Sequence, residues 1–174
     1  GGHADALMMT IALTANGSGG RADWSGALDL LRQAAPSNID AAAILKLVDT
    51  NQLTPDGHPQ RRLERIALTA NGSISYIQDF LSPAECDHIA RAGADLFEPG
   101  LVIDPATGRN IPHPIRTSDV AVIGPVREDL AIRGINLRIA WETDTSVDQG
   151  EALTLLRYRP GQQFRLHSDA IPAA

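Results

Sequence analysis

The chain has 174 residues, a formal net charge of -6, a pI near 5.2 and a 43% hydrophobic fraction. This is the composition of a folded globular protein, long enough for one medium domain or for a small helical piece joined to a domain of about 110 residues. There is no basic block and no arginine–aromatic interleaving, so nucleic-acid binding lacks support. No apolar run approaches the roughly 18 residues of a bilayer span, and no charged-then-apolar leader opens the chain. No membrane partner and a cytoplasmic location are therefore the expectations. Gly1 rather than Met stands first, as in a trimmed polypeptide. Cys86 is the only cysteine, which excludes an internal disulfide and a multi-cysteine zinc site.

The first stretch is helical in pattern. "ADALMMTIALTA" places Leu7, Met8, Ile11 and Ala12 at helical spacing, and "NGSGG" ends the run. Asp23 or Ser25 can cap "WSGALDLLRQAA", which has to stop before Pro36. A third helix is predicted from about Asn38 in "NIDAAAILKLV". Asp5-Ala6 recurs as Asp40-Ala41, an interval of 35 residues. Alanine-rich helix pairs at that interval resemble tetratricopeptide-like repeats, and such a piece would act as a spacer or as a surface for a protein partner. Residues 1–52 form this helical segment, and 53–62, within "TNQLTPDGHPQRR", a linker.

From residue 63 the pattern changes. "RLERIALTA" and "SISYIQDF", joined through Asn71-Gly72, predict a β-hairpin. The octapeptide "IALTANGS" occurs at Ile11 to Ser18 and again at Ile66 to Ser73; its flanks predict helix for the first copy and strand for the second. In "SPAECDHIARAGADLF", Ser82 is the predicted N-cap, Pro83 the first helical residue and Glu85 the partner in a capping box. Cys86, with Ile89, Ala90 and Leu96, is expected on an inward helical face as a buried structural thiol. "EPGLVIDPATGRNIPHPIRTS" lacks periodicity, as a lid or binding loop would. A strand "DVAVIG" and a helix "REDLAIRGINLRIAWET" follow, the helix with Leu130, Ile135 and Ile139 as inward candidates. Two strands about a Pro160-Gly161 turn, "EALTLLRYRPGQQFRLHSD", complete the pattern. Strands bracketing isolated helices predict an α+β fold whose sheet curls into a barrel or sandwich.

Within "QQFRLHSD", strand alternation puts Gln163, Arg165, His167 and Asp169 on one face, and Phe164 and Leu166 on the other. Residues two apart on a strand sit about 7 Å apart at Cα. An imidazole and a carboxylate so placed can converge on one cation, and with a further histidine they form the facial triad of non-haem iron(II) oxygenases. The plain alternative is a solvated strand face. A second His-x-Asp, His3-Ala4-Asp5, falls in the first predicted helix, where such residues diverge.

Four ordered blocks, "ISYIQDFLSPAECDHI", "DPATGRNIPHPIRTSDVAVI", "LRIAWET" and "GEALTLLRYRPGQQFRLHSD", resemble the prolyl 4-hydroxylase branch of the iron(II)- and 2-oxoglutarate-dependent dioxygenases. That family carries an F-L-S/T-x-x-E-C-D opening, a strand beginning R-T-S, and a Y-x-x-G-Q-x-[YF]-x-x-H-x-D run. The last is matched by Tyr158, Gly161, Gln162, Phe164, His167 and Asp169. The resemblance extends from about Ile74 to Asp169 and implies that residues 63–174 are the N-terminal part of a double-stranded β-helix (jelly-roll) domain. It further implies His167 and Asp169 as iron ligands and Tyr158 as the hydrogen-bond partner of 2-oxoglutarate. Arg116, Thr117 and Ser118 would lie at the substrate groove, although Arg116 could equally close a salt bridge. Residues from about Glu98 to Ile115 would form a lid.

The cofactors implied are Fe(II), 2-oxoglutarate and ascorbate, and the substrate a proline-containing peptide or protein. The family's distal histidine ligand, and the basic residue that pairs with the far carboxylate of 2-oxoglutarate, have no counterpart up to Ala174. The chain is therefore expected to be part of a longer polypeptide. A non-catalytic peptide-binding module with a degenerate oxygenase fold is the rival reading.

Overall fold

The computed structural model of the protein describes residues 2–51, 53–104, 106–112 and 114–166. The elements run α1 (Gly2–Asn16), α2 (Trp24–Ala34), α3 (Ile39–Thr50), β1 (Arg65–Ala67), β2 (Ser75–Ile77), α4 (Pro83–Ala92), β3 (Glu98–Pro99), β4 (Val102–Ile103), β5 (Asn110–Ile111), β6 (Asp119–Val122), α5 (Leu130–Thr143) and β7 (Thr154–Arg157), with a 3-10 turn at Val147–Gln149 before β7. The chain is thus mixed helix and sheet, as the α+β expectation required. It divides into two compact units, Gly1–Ala92 with Ile123–Leu153, and Gly93–Val122 with Thr154–Ala174. No described helix is long and apolar enough to cross a membrane.

The first unit is built on the apolar faces of α1, α2, α3 and α5. Ile11, Trp24, Leu31, Ile44, Val48 and Leu130 are buried in a single cluster there, with small alanines between them. Helices α2 to α5 start where the sequence supplies a cap for otherwise unpaired N–H groups. The Asp23 carboxylate accepts from Gly26 N, Asn38 Oδ1 from Asp40 N and Ala41 N, and Asp129 Oδ1 from Ala131 N and Ile132 N. At α4 the capping box is reciprocal: Glu85 N donates to Ser82 Oγ at 3.2 Å and Ser82 N to Glu85 Oε2 at 2.8 Å.

The segment after α3 is fastened to this unit. Leu53 bridges Pro59, and the turn between them closes through Gly57 N on Thr54 O. Gly57 is buried with φ +82°, and a Cβ there would lie 2.3 Å from Trp24 Cδ2, so only glycine lets the turn seat on the indole. Farther along, Arg62 stacks 4.8 Å over the Trp141 ring, Leu63 N donates to the buried Glu142 carboxylate, and Arg65 donates to the Glu142 carbonyl.

The β1–β2 hairpin forms with Ile66 opposite Tyr76, and Gly72 at φ +68° makes its turn. The first copy of the repeated octapeptide ends α1, whereas the second is strand and turn. Identical residues take opposite conformations because the neighbouring helix faces claim one copy and a hairpin partner claims the other.

Some expectations fail. Cys86 is exposed; the buried side chain of α4 is Glu85, because the inward face of that helix carries an ion pair in place of an apolar stripe. Leu130 and Ile135 point inward, but Ile139 is 38% exposed on the outer side of α5.

The second unit holds a three-stranded antiparallel sheet of order β3-β6-β7 and a two-stranded β4–β5 hairpin. In register, Asp119 faces Arg157, Val120 faces Leu156 and Ala121 faces Leu155. The segment without periodicity therefore contains β3, β4 and β5. The strand expected in "DVAVIG" is β6, which begins at Asp119; the Arg-Thr-Ser stretch that the resemblance put at a strand start lies just before it. Of the two strands expected about Pro160-Gly161, the first is β7, and the second is represented among the described residues by one isolated bridge, Arg116 to Phe164.

Candidate functional site

The described site residues expected from sequence, Arg116, Thr117, Ser118 and Tyr158, fall in the second unit. His167 and Asp169 lie outside the described residues. Among the described residues no three His, Cys, Asp or Glu side chains are grouped so as to hold a metal ion. The decoy pair His3 and Asp5 is exposed on α1.

The backbone immediately before His167 is described, and it is paired. Thr117 N donates to Gln163 O at 3.0 Å, Gln163 N to Thr117 Oγ1 at 2.8 Å, and Arg165 N to Ile115 O at 2.9 Å. The Arg-Thr-Ser stretch and the run leading to His167, over forty residues apart in sequence, thus lie side by side. Phe164 is half-buried beneath the Arg116 guanidinium, 5.1 Å from its centre, while Leu166 is 99% exposed. Arg116 makes no salt bridge among the described residues; its partner is that aromatic face.

Pro99, Gly100, Pro112, Pro114, Arg116, Thr117 and Ser118 line a cavity of about 310 Å³. Ser118 is 0% exposed, and its Oγ, like Arg116 Nε, has no hydrogen-bond partner among the described residues. An unmatched buried donor or acceptor costs about 1–3 kcal/mol. Both atoms are buried behind the groove rather than open to it, so what the groove itself presents is proline rings and the exposed parts of Arg116 and Thr117. Gly100 closes the back: a Cβ there would stand 2.8 Å from Ser118 O and 3.1 Å from Arg116 Nε. The motif in the sequence marked Arg116 to Ser118; Pro99, Gly100, Pro112 and Pro114 join them only through folding of the intervening segment.

Tyr158 follows β7 directly and is 45% exposed, with no hydrogen bond to its hydroxyl among the described residues. The turn after it is closed by Gln162, whose Oε1 accepts from Arg159 N at 2.7 Å and whose N donates to Arg159 O at 2.9 Å. Gly161 has φ +86° in this turn, so the Gly-Gln pair of the motif has a local structural role. On the other face of the sheet, Asp119 is held by Arg157 Nη2 at 2.9 Å and Arg159 Nη2 at 3.2 Å. No sequence signal marked that trio, because it depends on the β6–β7 register.

Comparison with known proteins agrees with the motif reading. The chain is similar to prolyl 4-hydroxylase 1 of Arabidopsis thaliana, 31% identical over 97 residues, which are 55% of this chain and 34% of that protein. It is also similar to the probable prolyl 4-hydroxylase 10 of the same plant, 31% identical over 114 residues, 66% of this chain and 38% of the relative. A third, the probable prolyl 4-hydroxylase 7, is 27% identical over 133 residues, 76% and 40%. In sequence the chain is prolyl 4-hydroxylase-like. It spans between a third and two fifths of the length of these relatives. No family model and no solved structure matches it.

Proposed function

We propose that the intact protein is an iron(II)- and 2-oxoglutarate-dependent dioxygenase that hydroxylates prolyl residues in a peptide or protein. The observation that carries this reading is the pairing of residues 115–117 with 163–165, which sets the Arg-Thr-Ser stretch and its cavity against the run entering His167-Ser168-Asp169. The sequence likeness to several prolyl 4-hydroxylases supports it.

In this reading residues 63–174 are the first part of a double-stranded β-helix domain, preceded by a helical segment over 1–52 with a protein-binding or spacer role. His167 and Asp169 would hold the iron, the residue types and spacing suiting a facial triad completed by a further histidine. Bound iron, with 2-oxoglutarate and oxygen, supplies the oxidising chemistry: the cosubstrate leaves as succinate and carbon dioxide, and one oxygen atom enters the prolyl C–H bond. Ascorbate would keep the metal reduced. The protein's own part is positional. Tyr158 offers its hydroxyl to the cosubstrate, Arg116, Thr117 and Ser118 line the substrate groove, and the segment from Glu98 to Ile115 closes over the groove to exclude water. A cytoplasmic location belongs to the same proposal.

The test is to incubate the full-length protein with iron(II), ascorbate, 2-oxoglutarate and proline-rich peptides. Succinate release and a mass gain of one oxygen atom on a prolyl residue are expected, both abolished in His167→Ala and Asp169→Ala. Peptide binding without succinate or mass gain would establish the non-catalytic module instead.

A further inference from the structure

Among the described residues of the second unit, Asp119 is given no role by the motif reading, yet it is held by two arginines. Asp119, whose side chain is 14% exposed, receives Arg157 Nε at 3.1 Å and Nη2 at 2.9 Å, and Arg159 Nη2 at 3.2 Å. Arg157 is further fixed by stacking 4.1 Å from the centre of the Phe97 ring. The two arginines are the residues immediately before and after Tyr158. β7 ends at Arg157, so Tyr158 lies just beyond the last ladder pair, where the sheet no longer holds the backbone. The ion pair to Arg159 extends the hold by two residues and meets the 159–162 turn closed by Gln162.

Strand alternation fixes the consequence. Arg157 and Arg159 point to the Asp119 face, so the residue between them is turned to the opposite face, shared with Val120 and Leu156. From this geometry we infer that Asp119 is a positioning residue: by clamping both neighbours of Tyr158, it sets the direction in which the Tyr158 ring is presented. The inference rests on the proposed role of Tyr158 toward 2-oxoglutarate, and it adds a residue on the far side of the sheet that acts only through that tyrosine.

The experiment has two arms, both on the full-length protein. In the metal-free protein, with ring-labelled tyrosine, the Tyr158 resonance is assigned by its loss in Tyr158→Phe. Asp119→Asn is expected to shift and broaden that resonance and to leave Tyr76 unmoved; an unchanged Tyr158 signal overturns the inference. In the second arm, succinate release is measured across 2-oxoglutarate concentrations. Asp119→Asn is expected to raise KM for 2-oxoglutarate about five-fold, the upper end for a partly exposed ion pair, with kcat within about two-fold. In the Tyr158→Phe background the same change should have no further effect on KM, whereas a fully additive effect, or a fall in kcat alone, overturns it. If Tyr158→Phe by itself leaves KM unchanged, the role given to the tyrosine fails, and the resonance arm still decides whether Asp119 orients it.

Discussion

Arg138 on α5 closes on Glu85 of α4, Nη2 to Oε1 at 2.7 Å, with both side chains buried. The guanidinium also donates to the Phe80 carbonyl at 2.6 Å, while the second Glu85 oxygen accepts from Ser82 N. A capping box and an interhelical ion pair thus share one carboxylate. Removing one partner leaves a buried charge unmatched. Arg138→Leu should therefore destabilise the first unit by about 3–5 kcal/mol, more than Glu85→Gln, which keeps a hydrogen-bonding side chain. Urea denaturation followed by circular dichroism measures both.

The same pair makes stability depend on acid. Burial alone would raise the Glu85 pKa, but the hydrogen bond from Arg138, the Ser82 backbone N–H and the attraction of the guanidinium outweigh it and hold the carboxyl below its usual range. A carboxyl with a depressed folded pKa contributes stability that is fully present above its unfolded value of about 4.3 and is lost as the pH falls through the folded value. Wild-type protein should lose melting temperature below about pH 4.5 more steeply than Glu85→Gln. Parallel pH profiles would contradict this.

Gly57→Ala tests the seat of the turn on Trp24. The positive φ and the 2.3 Å approach to the indole act together, and a cost above about 2 kcal/mol is expected from strain and overpacking. Gly72→Ala in the β1–β2 turn has a positive φ but open space around its Cβ, so it should cost only about 1 kcal/mol. Thermal melts of the two variants side by side supply the comparison.

Ser118→Ala should separate folding from binding. The hydroxyl is buried without a partner, so deleting it should leave stability unchanged or raise it by about 1 kcal/mol. Proline-rich peptide affinity, measured by calorimetry, should stay within about two-fold, because the hydroxyl is not open to the groove. A variant that is both destabilised and unaltered in peptide affinity would show that the hydroxyl serves the fold.

The exposed thiol of Cys86 should react with a maleimide in the native state as fast as in urea, read by mass on the peptide that contains it. Protection of the native thiol would restore the buried assignment made from helical periodicity.

The amino-acid sequence by itself determined the short-range features: the helix caps at Asp23 and Ser82, the helix start near Asn38, the capping box, the Asn71-Gly72 hairpin, and the His167-x-Asp169 spacing with its surrounding motif. These depend on groups within a few residues of each other, and hydrogen-bond chemistry at that range is written in residue type and order. Which face of α4 turns inward, and where Ile139 of α5 comes to lie, could not be read that way. Buried Glu85 and Arg138 satisfy each other, so charge took interior positions, and Cys86 and Ile139 were left outside. The repeated "IALTANGS" was legible only through its flanks, since the identical residues became helix in one place and strand with turn in the other. Only tertiary structure brought residues 115–117 beside 163–165, opened the proline-lined cavity at the unpartnered Ser118 hydroxyl, and set Asp119 between Arg157 and Arg159. Each of these depends on the register of strands distant in sequence, and register is decided by which side chains the folded chain can bury or pair together, a property no local stretch carries.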